Sequence, residues 1–275
     1  MNEIHRGGSC TTGKQPSIAA AGSFIVSRTE HASHTTLSPH SHPHATITIV
    51  LGGGYHETIG GVTHQLPSMS VVVKPADILH ANRVDGRGAR CLLFELTADG
   101  AESVNTVTNV FDTPRVAPLV RGAELALRTL VVLERGDNEA ATLALESLTM
   151  ELTALIAGET RAMSAKDPPA RLGRVRDRLE ESGTGARLGD LAKDAGCHPI
   201  HLARMFRKAY GESIGSYARR VRLTRAARAI ASTDRETLSR IAMRTGYYDH
   251  SHLAHEFQTR TGMAPAEWRR LAAAS

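Results

Sequence analysis

Two spacings of apolar residues divide the chain. From Ser23 to Leu96 the apolar runs are short: Phe24-Ile25-Val26, Thr46 to Leu51, Tyr55 to Ile59, Val62 to Leu66, Ser70 to Val73 and Cys91 to Phe94. Runs of this length bounded by turn-forming residues predict strands. Gly60-Gly61 reads as a two-residue hairpin turn, and Asp85-Gly86 as a second. Many short strands with glycine turns imply an antiparallel sandwich or small barrel. From Leu119 to Ile156 the spacing becomes helical. Leu119, Ala123, Ala126, Leu130 and Leu133 are separated by 4, 3, 4 and 3 positions, and Ala141, Leu145, Leu148, Leu152 and Leu155 repeat that series. This predicts two amphipathic helices broken near Gly136-Asp137-Asn138. Their stripes either cover the barrel or also serve a homodimer contact, with Leu148 as an exposed member of the stripe.

The last third contains one pattern twice. Leu188, Leu191, Ala192, Gly196, Leu202, Phe206, Gly211, Tyr217 and Arg219 form the first copy. Leu238, Ile241, Ala242, Gly246, Leu253, Phe257, Gly262, Trp268 and Arg270 form the second. The offset is 50 as far as the first glycine and 51 after it, so the second turn has one extra residue. A short helix, a glycine turn and a second helix with a Leu-x-x-x-Phe stripe make a helix-turn-helix, and chance rarely reproduces so many spacings.

Charge strengthens this reading. From Arg171 onward there are 20 Lys and Arg against 11 Asp and Glu, while the preceding residues carry 13 against 17. The basic excess lies where a phosphate-binding surface needs it. At 275 residues the chain is long enough for two domains with separate cores. The expected division is a flexible arm over 1–20, a sensing and dimerisation domain over 21–157, a linker over 158–170 and a DNA-binding domain over 171–275. Lys166-Asp167-Pro168-Pro169 lies in that linker, where two prolines stop a helix. No uninterrupted run of about 18 apolar residues occurs, which predicts no membrane span. The polar start lacks the order of a secretory signal. Cys10, Cys91 and Cys197 are few and scattered, as expected of a reducing cytoplasm.

In the first unit, His198-Pro199 opens the second helix. Ile200, His201, Ala203, Arg204 and Arg207 then lie on the part of it that meets DNA. Arg204 is suited to grip guanine O6 and N7 together, or else to contact phosphate. In the second unit Asp249 is a helix N-cap, and His250, Ser251, His252 and His255 are the exposed candidates. His252 and His255, one turn apart, leave a minor metal reading open.

These residues resemble a known family. Ala192, Gly196, Leu202-x-Arg204-x-Phe206, Gly211, Tyr217, Arg222-Leu223-x-x-Ala226, Ile241-Ala242, Gly246-Tyr247-x-Asp249-x-Ser251, Phe257, Gly262, Pro265 and Trp268-Arg269 look like the DNA-binding domain of AraC/XylS-type transcription regulators. The resemblance covers about residues 171–271. It implies seven helices, with one from about Ile214 to Ala231 joining two helix-turn-helix units that bind adjacent major-groove segments of promoter DNA. Three positions differ from the family's common residues: His255 stands for an arginine, His198 for a serine and Leu253 for an aromatic residue.

Pro39-His40-Ser41-His42-Pro43-His44 precedes the strand at Thr46. Alternate residues of an extended segment face one way, so His40, His42 and His44 can share a face. With His80 after Pro75-Ala76-Asp77-Ile78-Leu79, this resembles the two signature stretches of cupin barrels, the sensor type usual in the AraC/XylS family. Cupins hold a metal with a His-x-His pair, a glutamate and a later histidine. Thr46 occupies the glutamate's place. His40, His42, His44 and His80 are therefore candidates for an organic effector pocket. His40, His42 and His80 are also a candidate three-histidine site for a divalent transition metal such as zinc, iron or nickel.

The expected fold is a two-domain α+β chain: a cupin-like antiparallel β-barrel with a helical hairpin, then an all-α double helix-turn-helix domain. The expected function is that of a cytoplasmic transcription regulator without enzymatic activity. Its partners would be promoter DNA, a small-molecule effector, a second copy of itself and, for an activator, RNA polymerase. The alternatives are a metal-responsive regulator and a metal-dependent cupin enzyme.

Overall fold

The computed structural model describes residues 14–107, 109–120, 122–136, 138–164, 170–182, 187–233 and 235–273. Among the described residues eight strands come first: β1 (Lys14–Ala21), β2 (Phe24–His31), β3 (Thr36–His40), β4 (Thr46–Ile59), β5 (Val62–Pro67), β6 (Ser70–Lys74), β7 (His80–Leu96) and, after helix α1 (Ala98–Val107), β8 (Arg115–Pro118). They form one antiparallel sheet in the order β1-β2-β7-β4-β6-β8, with β3 added to β7 and β5 to β4. The sheet curls around a cavity, and strand alternation explains why both of its faces are buried. Ile47, Ile49, Val71, Val73, Leu92 and Phe94 face outward into a core shared with helices, while Thr46, Thr48, Lys74, Cys91, Leu93 and Glu95 line the cavity.

Several strand boundaries differ from the sequence reading. Two expected runs are the single strand β4, bent by register shifts between Val50 and Gly52 and between Gly53 and Tyr55. Asp85-Gly86 is not a turn. It lies inside the 17-residue β7, in a bulge that β4 leaves unpaired where the register passes from Gly53–Ala89 to Tyr55–Val84. Gly60 and Gly61 do make the hairpin turn between β4 and β5, both at positive φ. Part of the expected arm is strand β1, an edge strand held by main-chain pairing with β2. Its side chains are mostly small and partly exposed, so apolar periodicity carried little signal there. The rest of the arm lies outside the described residues.

The helical hairpin is α2 (Ala123–Arg135) and α3 (Glu139–Ser164). Leu119 precedes α2 and is fully buried. Leu148 is also core, only 4% exposed, so it cannot serve a contact with another molecule; the exposed apolar residues of α3 are Leu143 and Met150. The helix continues to Ser164, into the expected linker, because Gly158 lowers helix propensity without ending a helix. Prolines 168 and 169 lie outside the described residues. By length and composition Glu139–Gly158 is apolar enough to cross a membrane, at mean hydropathy 1.4. Here its Leu145, Leu148, Leu152 and Ile156 pack into the protein core.

Seven helices complete the chain: α4 (Ala170–Ser182), α5 (Leu188–Asp194), α6 (Pro199–Tyr210), α7 (Ile214–Ser232), α8 (Leu238–Thr245), α9 (His250–Thr261) and α10 (Pro265–Ala272). The cores do not follow the expected domain border. Leu172, Val175, Leu179, Leu191, Leu202, Phe206 and Tyr217 make a core of their own around the first helix-turn-helix. The second unit's Ile241, Leu253, Phe257, Trp268 and Ala272 are continuous with the barrel core. Helix α2 explains the fusion. Ala123, Leu125, Ala126, Leu127, Thr129, Leu130 and Leu133 are buried, Glu124, Val131 and Val132 are half-buried, and Arg128, Glu134 and Arg135 are exposed. One side covers the sheet and the other meets α7 and α9.

Candidate effector cavity and DNA-binding surface

Five strands bring the cavity's polar residues together. His40 ends β3 and His80 begins β7, and the two are register partners. His42 follows in the irregular link to β4. The ring centroids of His40, His42 and His80 lie 4.3 to 5.1 Å apart. All three line a cavity of about 670 Å³, counting its open mouth. His44 is not among the cavity-lining residues, because the chain turns between His42 and β4 and does not stay extended. His31, on β2, does line it and was not anticipated.

Two buried charges in β4 and β6 also escaped the sequence reading. Lys74 Nζ donates to Glu57 Oε1 at 2.8 Å and to His80 Nε2 at 3.0 Å. Glu57 is fully buried and also receives the Tyr55 hydroxyl at 3.5 Å. His80 Nδ1 donates to the Ile78 carbonyl at 3.0 Å, which leaves Nε2 as the acceptor for Lys74. Burial, with the Lys74 charge second, pushes the imidazoles of His42 and His80 down to about 4. Burial likewise pushes the Cys91 thiol up to about 12, so it stays protonated and unreactive. Glu95, half-buried at the far side of the cavity, is raised by burial, which His44 partly opposes.

The cavity does not fit a metal ion as arranged. The nearest ring nitrogens of His40, His42 and His80 lie within 4.8 Å of one another. His40 Nδ1 is engaged by Ser38 O at 2.8 Å, leaving its Nε2 free. The remaining lone pair of His80, however, is taken by an ammonium that a buried carboxylate holds in place. A cation already stands where the ion would have to be.

The two helix-turn-helix units share a construction. Gly196 and Gly246 turn the chain at φ +62° and +87°, and the amides of Cys197 and Tyr247 bond Ala192 O and Ala242 O at 3.0 and 2.9 Å. The N-caps that follow are His198, whose ring accepts from Ile200 N, and Asp249, which accepts from His252 N. Cys197 matches Tyr247 and His198 matches Asp249, so the extra residue of the second turn is Tyr248, 88% exposed.

On α6, Ile200, His201, Arg204 and Arg207 are exposed and Ala203 is half-buried, while Leu202 and Phe206 are fully buried. On α9, His250, Ser251, His252 and His255 are exposed over buried Leu253 and Phe257. His252 accepts from Tyr248 N at its Nδ1 at 3.3 Å, and its ring meets that of Tyr247 edge-on. His252 and His255 gather no third ligand among the described residues. Lys208 and Gln258 extend the two exposed faces. Helical spacing from Arg204 and His255 would have found them.

The second unit is also wired to the barrel and its helical hairpin. Glu124 of α2 pairs with Arg260 of α9 at 3.1 Å, Arg260 with Glu256 at 3.5 Å, and Glu256 with Arg222 of α7 at 2.7 Å. Arg222 lies over the Tyr247 ring, 4.6 Å from its centroid. From the barrel, Arg90 donates to the carbonyls of Arg270 and Leu271, and Arg87 to that of Ser232. These are carbonyls in the last turns of α10 and α7, where a cation is favoured. Arg228 returns a bond to Met69 O at 3.1 Å. At Gly52 a Cβ would overlap the Ala272 carbonyl, so only glycine permits this approach.

This arrangement defines a double helix-turn-helix domain. Residues 191–271 match the helix-turn-helix domain family, and the C-terminal domain is of the AraC/XylS type. Over 104 residues the chain is 35% identical to the HTH-type transcriptional regulator Rv1931c of Mycobacterium tuberculosis, a match covering 38% of each protein. Over 82 residues it is 32% identical to the HTH-type transcriptional activator AarP of Providencia stuartii, covering 30% of this chain and 60% of that one. The chain thus spans less than two thirds of either relative. Among solved structures, ToxT K231A of Vibrio cholerae is similar over 92% of this chain and 98% of its own, at 11% identity and TM-score 0.42.

Proposed function

We propose that the protein is a sequence-specific transcription regulator that binds promoter DNA through α6 and α9 and is controlled by a small organic effector in the barrel. The observation that carries this reading is the pair of helix-turn-helix units presenting polar and basic faces. The sensor core, continuous with the second unit, supports the control. The protein works in the cytoplasm, without an enzymatic role. It acts as a homodimer through the exposed α3 residues Leu143 and Met150, and contacts RNA polymerase where it activates. The residues 158–170 then link the sensor to its DNA-binding domain. A metal-responsive regulator or a metal-dependent enzyme would need Lys74 to leave His80.

The test is binding of the full-length protein to promoter fragments from its own genome, followed by fluorescence anisotropy. Affinity should fall steeply with salt, because counterion release dominates phosphate contacts. Arg204→Ala should cost on the order of 1–3 kcal/mol at the specific site and less on random DNA. An equal loss on both would assign Arg204 to phosphate. No salt-dependent binding to any fragment would overturn the regulator reading.

A further inference from the structure

We propose that the barrel cavity takes a small organic acid, whose carboxylate is received by the Lys74 ammonium. This deepens the effector reading above and rests on it.

Lys74 is 7% exposed, and a buried ammonium is retained only where its donors are used. It has three N–H donors. One goes to Glu57 and one to His80. Glu57 is not among the residues that line the cavity, whereas Lys74 is. The carboxylate therefore stands behind the ammonium, and the pair presents its positive end to the ligand space. A bound acid would accept the third donor in a charge-assisted hydrogen bond, strengthened by the low dielectric of the site.

A second observation points to a polar ligand. Thr46 Oγ1 and His31 Nδ1 are buried without a hydrogen-bond partner in the protein, and both residues line the cavity. Thr46 is only 3% exposed. Buried polar atoms are normally paired, so two such atoms in one cavity imply a group that supplies partners. Thr46 is the register partner of Lys74 on one side and of Glu95 on the other. The three side chains thus form one row, with Lys74 and Glu95 about 10 Å apart at two strand spacings. Leu37, Val84 and Leu93 supply apolar walls. The class of ligand that matches is an acid with an apolar body. Its carboxylate sits at the Lys74 end, away from Glu95.

Isothermal titration of the full-length protein with 3-cyclohexylpropanoate, its amide and 3-cyclohexylpropylamine tests the assignment. The acid should bind about tenfold or more tighter than either neutral or cationic analogue, the ratio expected of one charge-assisted hydrogen bond. Lys74→Met should abolish the preference and Lys74→Arg should keep it. If Lys74→Met does not fold, the wild-type comparison of acid with amide still decides. Leu93→Trp, which fills the cavity, should remove binding of all three. Equal affinity for acid and amide, or a preference that survives Lys74→Met, overturns the acid assignment and leaves the effector reading standing. Binding of none of the three, with Leu93→Trp indistinguishable from wild type in its response to cell metabolites, removes both.

Discussion

The two helix-turn-helix units share a sequence pattern and differ in what lies behind them. The first closes its own core, with Phe206 and Tyr217 packed edge to face at 5.4 Å and Leu172, Val175 and Leu179 of α4 completing it. The second has no such core to itself. Trp268 is fully buried and donates from Nε1 to Ala227 O at 2.9 Å, and the surrounding apolar cluster runs on into α2 and the outer face of the barrel. Polar contacts follow the same division. Arg260, Arg87, Arg90 and Arg228 join the second unit or α7 to the barrel and α2, while near the first unit Arg220 makes a looser pair with Glu151 at 3.8 Å. A repeat therefore specifies a shape twice, but the residues on its back decide whether that shape is independent or part of a larger cooperative body. An effector in the barrel would act first on the second unit.

Core truncation breaks this comparison most strongly. Trp268→Ala and Phe206→Ala should each cost about 3–5 kcal/mol. The first should remove hydrogen-exchange protection from α8 to α10 together with α2 and the outer strands. The second should remove it from α4 to α6 alone. Loss of barrel protection in both variants would mean that the molecule unfolds as one unit and that the two cores are not distinct.

Acid should separate the two units without mutation. The imidazoles of His42 and His80 titrate near 6.5 in the unfolded chain and at about 4 in the metal-free folded one. Between these values the unfolded state binds more protons, so stability falls as pH drops from about 6.5 to about 4. The sensor and the second unit should lose melting temperature through that window, and the first unit should not. A uniform loss across the chain, read by pH-dependent hydrogen exchange, would contradict the division.

Gly52→Val aims at the contact itself. Its side chain would collide with the end of α10 at Ala272, so α10 should shift away from the barrel at that contact while the shared core holds the two together. Basal DNA affinity should persist and the effector should cease to alter it. A response as large as in the wild type would show that coupling passes elsewhere. Glu124→Gln is the mildest probe. It removes a pair that is only partly buried, so it should cost under about 1 kcal/mol. It should nevertheless reduce the effector response more than His201→Ala does. Equal effects would exclude the Arg260–Glu256–Arg222 network from the coupling.

The repeat was legible because a helix-turn-helix imposes local demands: a turn glycine, an N-cap and a buried Leu and Phe one turn apart. His198 and Asp249 do cap α6 and α9, and Gly246 is in the left-handed region. The barrel was legible as strands but not as boundaries. A bulged 14-residue strand reads locally as two, and Asp85-Gly86 reads as a turn until β4 pairs across it. The cavity was half legible. The spacing of His40, His42 and His80 announced a site, whereas Lys74 and Glu57 are 17 residues apart in strands where each reads as an ordinary surface charge.

The sequence by itself determined the local elements, the double helix-turn-helix, the basic bias of the C-terminal part and the presence of a histidine cluster. Each is written in spacings of a few residues or in net composition. Tertiary structure alone decided that an ammonium and not an open coordination position completes the histidine site, because sheet curvature brings β4, β6 and β7 together there. It alone decided that the second unit joins the barrel core, because α2 packs on the sheet with one side and meets α7 and α9 with another.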